Sequence, residues 1–310
     1  MNFKTIFLDE TNTLRSGWRF LIFALAFTFA GLVIGTLTLV VLEGAFGISV
    51  RGSAQFLVTN GVASLAVALA VGWLCSRFLE KLPFRSLGAW LTKGWFVQLI
   101  LGLFSGGVTF SFAAGFAMLL GGLSFRQNAD VSTEAVVMTL IISLAIFAAA
   151  AAFEEALFRG YMLQTFLRSD MALFAVLLTS TLFATVHNAN PNATLLSWVN
   201  TFLAGIWFAV SYLKTRTLWM PFGLHLAWNW VQGSVFGVEV SGLTDIITAP
   251  IMREIDKGPA WLTGGEYGIE GGLACTSALM VSTAAIYYLP ITRPNEEMLA
   301  LTSPKHPSLR

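Results

Sequence analysis

Long apolar runs dominate the chain, each interrupted by a short cluster of charged residues, glycine or proline. Eight can be marked: Trp18–Leu42, Gln55–Arg77, Gly94–Leu120, Ala135–Gln164, Ala172–His187, Leu195–Leu213, Trp219–Val238 and Leu273–Leu289. Most approach or exceed the ~20 residues that a helix needs to cross a bilayer; the fifth and the last are short. Closed barrels are the other spanning solution, but these runs are too long and too continuous for alternating strands. The pattern predicts an all-α polytopic membrane protein, a bundle of about eight transmembrane helices. No internal repeat is visible, so residues 1–290 read as a single domain. The tail 291–310, with Pro294, Pro304 and Pro307, is expected to be cytoplasmic and disordered. Between the runs, Ser124–Glu134 reads as a polar loop. The one long connection, Glu239–Gly272, is acidic with apolar patches and is expected to cap the bundle or lie on the membrane surface, without chemistry of its own.

Composition agrees with this pattern. The 310 residues are 56% hydrophobic and 11% charged, with mean hydropathy +0.73, whereas soluble domains carry about 25% charge. A net charge of +1 implies no nucleic-acid partner. The placement of the basic residues says more than their sum. With the first residues taken as cytoplasmic, that side holds Lys4, Arg15, Arg19, Arg77, Lys81, Arg85, Lys93, Arg168, Lys214, Arg216, Arg293, Lys305 and Arg310. The far side holds Arg51, Arg126, Arg253 and Lys257. With Arg159 set aside, this is a strong positive-inside bias, and it places both termini in the cytoplasm of what the composition suggests is a bacterial cell. Cys75 and Cys275 then fall near opposite faces and form no disulfide framework. The first run, too long for a signal-peptide core, reads as a retained helix. Gly31/Gly35 and Gly102/Gly106 are small-xxx-small patterns whose expected role is close helix packing.

Candidate chemistry is concentrated where the fourth run ends. Phe153-Glu154-Glu155-Ala156-Leu157-Phe158-Arg159 follows an uncharged stretch closing in five alanines. A charge near the bilayer centre costs roughly 2.5–3.5 kcal/mol on insertion scales. Glu155 and Arg159 are i and i+4 with the acid first, the favourable order for an ion pair, while Glu154 has no such partner on its own helix. Two of the three histidines also lie in apolar helices: His187 closes Phe183-Ala-Thr-Val-His187, and His225 opens His225-Leu-Ala-Trp-Asn229, with Asn229 on the same face. Buried polar groups are costly unless paired, and gathering these together satisfies them most cheaply. A carboxylate and an imidazole sharing a water can activate it for attack on a carbonyl. A second imidazole and an amide can donate to the oxyanion that forms. No serine or cysteine stands beside them as a clear nucleophile, and no His-Glu-x-x-His helix occurs.

Glu154-Glu155-x-x-x-Arg159, Phe183-x-x-x-His187 and His225-x-x-x-Asn229 together resemble the three motifs of the CAAX prenyl protease type II family, the wider CPBP group of intramembrane proteases, over about 135–235. The resemblance implies an eight-helix bundle with a site buried in the membrane and open to the cytosol. It implies that Glu154 and His187 activate water, that His225 and Asn229 bind the oxyanion, and that Glu155 and Arg159 support the site. It leaves open a glutamate-dependent mechanism without metal and a zinc ion held by His187, His225 and Glu154. The implied partner is a peptide or protein substrate at the membrane, lipidated or membrane-associated. Two other readings of the same residues are a proton-coupled transporter, since intramembrane Glu and His also mark ion relays, and a proteolytically silent scaffold or immunity protein. The depth of His187 is the awkward point. It comes late in its helix and Glu154 late in the preceding, antiparallel one, a conflict that eases if that preceding helix runs on to about Gln164, though His187 still lies deep.

Overall fold

The computed structural model describes residues 6–9, 12–47, 53–243 and 246–304. Lys4, Arg51, Lys305 and Arg310, which enter the charge reading above, and Asp245 of the acidic connection lie outside them.

Each apolar run forms a helix. These are α1 (Ser16–Phe46), α2 (Ala54–Leu79), α3 (Trp95–Leu119), α4 (Thr133–Leu167), α5 (Ala172–His187), α6 (Leu195–Thr215), α7 (Trp219–Trp230) and α8 (Leu273–Tyr288). Among the described residues, α1, α2, α3, α4 and α6 are long and apolar enough to cross a membrane, while α5 and α8 are shorter apolar helices. The protein is an all-α polytopic membrane protein; eight crossings remain an expectation, since only five helices meet that length. The outer surface is apolar in keeping with this: Leu25 and Phe29 on α1 are 63% and 71% exposed, positions that lipid covers without penalty.

Small residues set the closest approaches. A Cβ added at Gly102 or Gly106 of α3 would overlap the carbonyl oxygens of Met220 and Leu224, so α7 lies directly on α3. The expected packing role therefore holds for this glycine pair. It does not hold for Gly31 and Gly35, which meet nothing within 4 Å, because α1 sits at the edge of the bundle and turns them away from it.

The two ends of the bundle differ. At one end, Glu80 after α2 accepts from Arg19 of α1 and from Arg168 after α4, all three buried. Leu218 N–H donates to the Gly88 carbonyl, and Asn295 N–H to the Thr215 carbonyl. These bonds gather the basic loops at a single end. At the opposite end, β1 (Leu123–Gln127) pairs antiparallel with β2 (Met252–Asp256). Thus the expected loops 124–134 and 239–272 are not free: each contributes a strand, because alternate residues of both can pair on an otherwise helical body. Asn200 of α6 donates to the Glu270 and Gly272 carbonyls and anchors the second loop.

The expectation of a disordered tail is corrected in part. Residues Glu296–Thr302 form a short helix, α9, whose N-cap Asn295 accepts from Met298 N–H. Met298 is fully buried, and Glu297 pairs with Arg85 at 2.8 Å. One apolar anchor and one cap hold this segment despite its prolines.

Candidate active site

Helix α4 passes through two irregularities. It is regular to Glu155, makes π turns over Ala156–Met162, and has a non-helical residue at Gly160 (φ −72°, ψ −118°) before resuming at Leu163–Leu167. Because it runs on to Leu167, Glu154 lies about 20 Å from its end at 1.5 Å per residue. His187 lies about 22 Å along α5, which runs back from the same end. The conflict of depth is eased by the helix extension.

Arg159 is wholly buried. Its guanidinium donates to Glu155 Oε1 at 3.1 Å and to the Gly205 carbonyl at 3.1 Å, and it lies 4.6 Å from the Phe183 ring centroid and 5.0 Å from that of Phe208. The i, i+4 pair expected from spacing is present, with the edge-to-face pair Phe183 and Phe208 beside the cation. Glu155 Oε1 has a second partner, His225 Nδ1 at 3.0 Å. The His225 ring stacks on Phe208, centroids 4.6 Å apart.

The tautomers follow from these contacts. A carboxylate only accepts, so neutral His225 carries its proton on Nδ1 and presents a bare Nε2. His187 Nδ1 faces the Phe183 carbonyl at 2.7 Å, and the same logic leaves its Nε2 bare. Phe183 thus serves twice, with its ring on Arg159 and its carbonyl on His187.

Both free nitrogens point at Glu154. Its Oε2 is 3.7 Å from His225 Nε2 and 3.9 Å from His187 Nε2, and no described residue donates a hydrogen bond to it. These separations are too long for direct hydrogen bonds, and a water beside the three groups could bond to more than one of them. Zinc is the alternative. The donor types suit it, and each imidazole has the outer partner that zinc ligands usually have. Zinc bonded at ~2.0–2.2 Å in tetrahedral geometry would draw the donors to about 3.4 Å of one another. The observed spacing is a few tenths of an ångström wider than that, so a small inward movement of these side chains would seat the ion, and the set suits a bridging water or a zinc ion alike.

These groups line a cavity of about 360 Å³, which also takes in Asn229, one turn beyond His225. Several lining residues were not expected from the sequence. Glu270, in the loop assigned no chemistry, reaches the cavity wall. Its Oε1 accepts from Trp228 Nε1 at 2.9 Å and its Oε2 from the Ser241 hydroxyl at 2.8 Å. Asn190, Asn200 and Cys275 line the wall as well. The one available signal for Glu270 was an acid placed immediately before an apolar helix, which is common at helix N-termini and so carries little information.

Residues 136–231 match the family model of the type II CAAX prenyl endopeptidase Rce1-like proteins. The match spans all three motifs and ends just beyond Asn229. No curated protein matches the chain. The segment that builds the Glu154 site is therefore similar to a family of endopeptidases.

Proposed function

We propose that the protein is an intramembrane endopeptidase acting on a membrane-associated or lipidated peptide or protein through water activated by Glu154. The observation that carries this reading is the placement of Glu154 Oε2 3.7 and 3.9 Å from two imidazole nitrogens whose other ring protons are already committed. A water in that gap donates to Glu154 Oε2 and to His187 Nε2. As its oxygen attacks the scissile carbonyl carbon, Glu154 takes one of its protons and later returns it to the leaving amine, so water is consumed and one carboxylic acid and one amine are formed, the acid then passing its proton to the amine or to solvent.

The Asn229 amide donates to the oxyanion. His225 can donate from Nε2 only as an imidazolium, since Nδ1 is held by Glu155. In that form Glu155 is its counter-ion, and its charge adds to the stabilisation of the oxyanion. Glu155 and Arg159 position His225 and do not touch the reacting atoms.

The test compares proteomes of membranes carrying active protein and Glu154→Ala protein, looking for new termini. With a substrate in hand, Glu154→Ala should fall to background. Asn229→Ala, lacking one oxyanion donor, should lose about 10²–10³ in turnover. Chelators should leave the rate unchanged. Stoichiometric zinc, lost together with activity in His225→Ala protein, would overturn the metal-free mechanism. Absence of any Glu154-dependent terminus would count against the peptidase reading itself.

A further inference from the structure

Two expectations from the sequence, cytoplasmic termini and a site open to the cytosol, conflict once the cavity is located. The stitching bonds collect Arg15, Arg19, Arg77, Lys81, Arg85, Lys93, Arg168, Lys214, Arg216 and Arg293 at one end of the bundle. The opposite end has three described basic residues, Arg126, Arg253 and Lys257, beside a larger group of acids that includes Asp130, Glu134, Glu254 and Asp256. The basic end is the cytoplasmic one by the positive-inside rule.

Below the catalytic groups, toward that basic end, the bundle is solid. Every residue from Glu155 to Arg168 is buried, and Gln164 bonds across to the Leu87 carbonyl. The cavity extends the other way. Its walls include Leu57 and Asn60 in the first two turns of α2, Asn190 in the turn after α5, and Ser241, Leu243 and Glu270 from the long far-end connection. His187 is the last residue of α5, and the residues that follow it directly, Asn188 and Ala189, are exposed. The site is thus sealed from the basic end and approached from the other.

We propose that the catalytic cavity opens on the non-cytoplasmic side of the membrane. Resting on the peptidase reading, it follows that the substrate is a peptide segment presented in the outer half of the bilayer or beyond it, not a lipidated carboxy terminus presented from the cytosol. Exported peptides and the outer ends of membrane-spanning segments meet that description.

Cysteine labelling in whole cells tests the sidedness without using activity. In full-length protein with Cys75→Ala and Cys275→Ala, single cysteines are placed in the cavity wall (Asn190→Cys), at the far end (Lys257→Cys) and at the basic end (Lys93→Cys). A membrane-impermeant maleimide applied to intact cells should block Asn190→Cys and Lys257→Cys completely and leave Lys93→Cys free until the membrane is opened. Asn188→Cys serves if Asn190→Cys protein does not accumulate. A cavity cysteine that labels with Lys93→Cys, or equally from both sides, overturns the proposal. The substrate class is read separately, from where Glu154-dependent termini fall. Termini in exoplasmic or outer-half segments support it, and termini in cytosolic segments overturn it. Outside-only labelling without any Glu154-dependent terminus would refute the peptidase reading, and with it the substrate class, while leaving the sidedness standing.

Discussion

At the scale of single residues, the site depends on how each polar group is committed before a substrate arrives. Glu155 is shared between Arg159 and His225, so it fixes a charge and a tautomer at once. Removing the guanidinium with Arg159→Ala leaves a buried carboxylate without its cation, a change costing about 3–5 kcal/mol. Arg159→Ala protein should accumulate poorly and melt earlier in detergent. Arg159→Lys should restore little, because a point ammonium cannot reach Glu155 and the Gly205 carbonyl together as the guanidinium fork does. Wild-type melting of Arg159→Ala protein would show that the pair holds nothing. Much of this was legible beforehand. The i, i+4 spacing of Glu155 and Arg159, the solitary Glu154, and His225 facing the same way as Asn229 are local consequences of helix geometry, and they survive in the structure. Glu270 was not legible, because its role comes from Trp228 and Ser241, neither of them near it in sequence.

At the scale of elements, apolar runs marked all but one of the helices to within a few residues, since a membrane helix must keep its apolar length unbroken; the run Trp219–Val238 outlasts its regular helix, which ends at Trp230. What periodicity could not mark was the ribbon of β1 and β2, whose strands are five residues each and more than a hundred positions apart. This ribbon carries a pH-sensitive group. Burial, with Glu239 and Asp256 nearby, pushes the Glu254 carboxyl up to about 8. An unfolded glutamate titrates near ~4.3. Between that value and about 8 the folded ribbon therefore holds a proton that the unfolded chain has released. Its stability falls as pH rises through this window. Amide exchange over 123–127, corrected for its intrinsic rate, should quicken from neutral to alkaline pH. Glu254→Gln should remove the effect. A wild-type ribbon indifferent to pH would contradict the burial of that carboxyl.

At the scale of the whole molecule, α1 is the least embedded helix, and its attachment depends on the Arg19–Glu80–Arg168 cluster together with Phe23 packed on Tyr161. Burial alone would raise the Glu80 carboxyl, but Arg168 and Arg19 outweigh it and hold the group below its usual range. The cluster's contribution is therefore present above the ordinary carboxylate range and is lost as pH falls below it. Glu80→Ala strands two buried guanidiniums, each otherwise paired. Proteolysis of membranes should then cut near α1 well before it cuts the rest of the bundle, whereas uniform resistance would mean that α1 is held by its apolar face alone.

The long connection roofing the cavity has a consequence of another kind. The groups assigned to bond cleavage all lie within 136–231, the stretch that matches an endopeptidase family, whereas Val240, Ser241, Leu243, Ile246 and Glu270 are supplied from beyond it. On the proposed reading, the groups that cut and part of the wall that meets the substrate lie on separate lengths of chain. In a peptidase built this way, exchanging the roof would redirect the enzyme to new targets while its chemistry passed on unaltered.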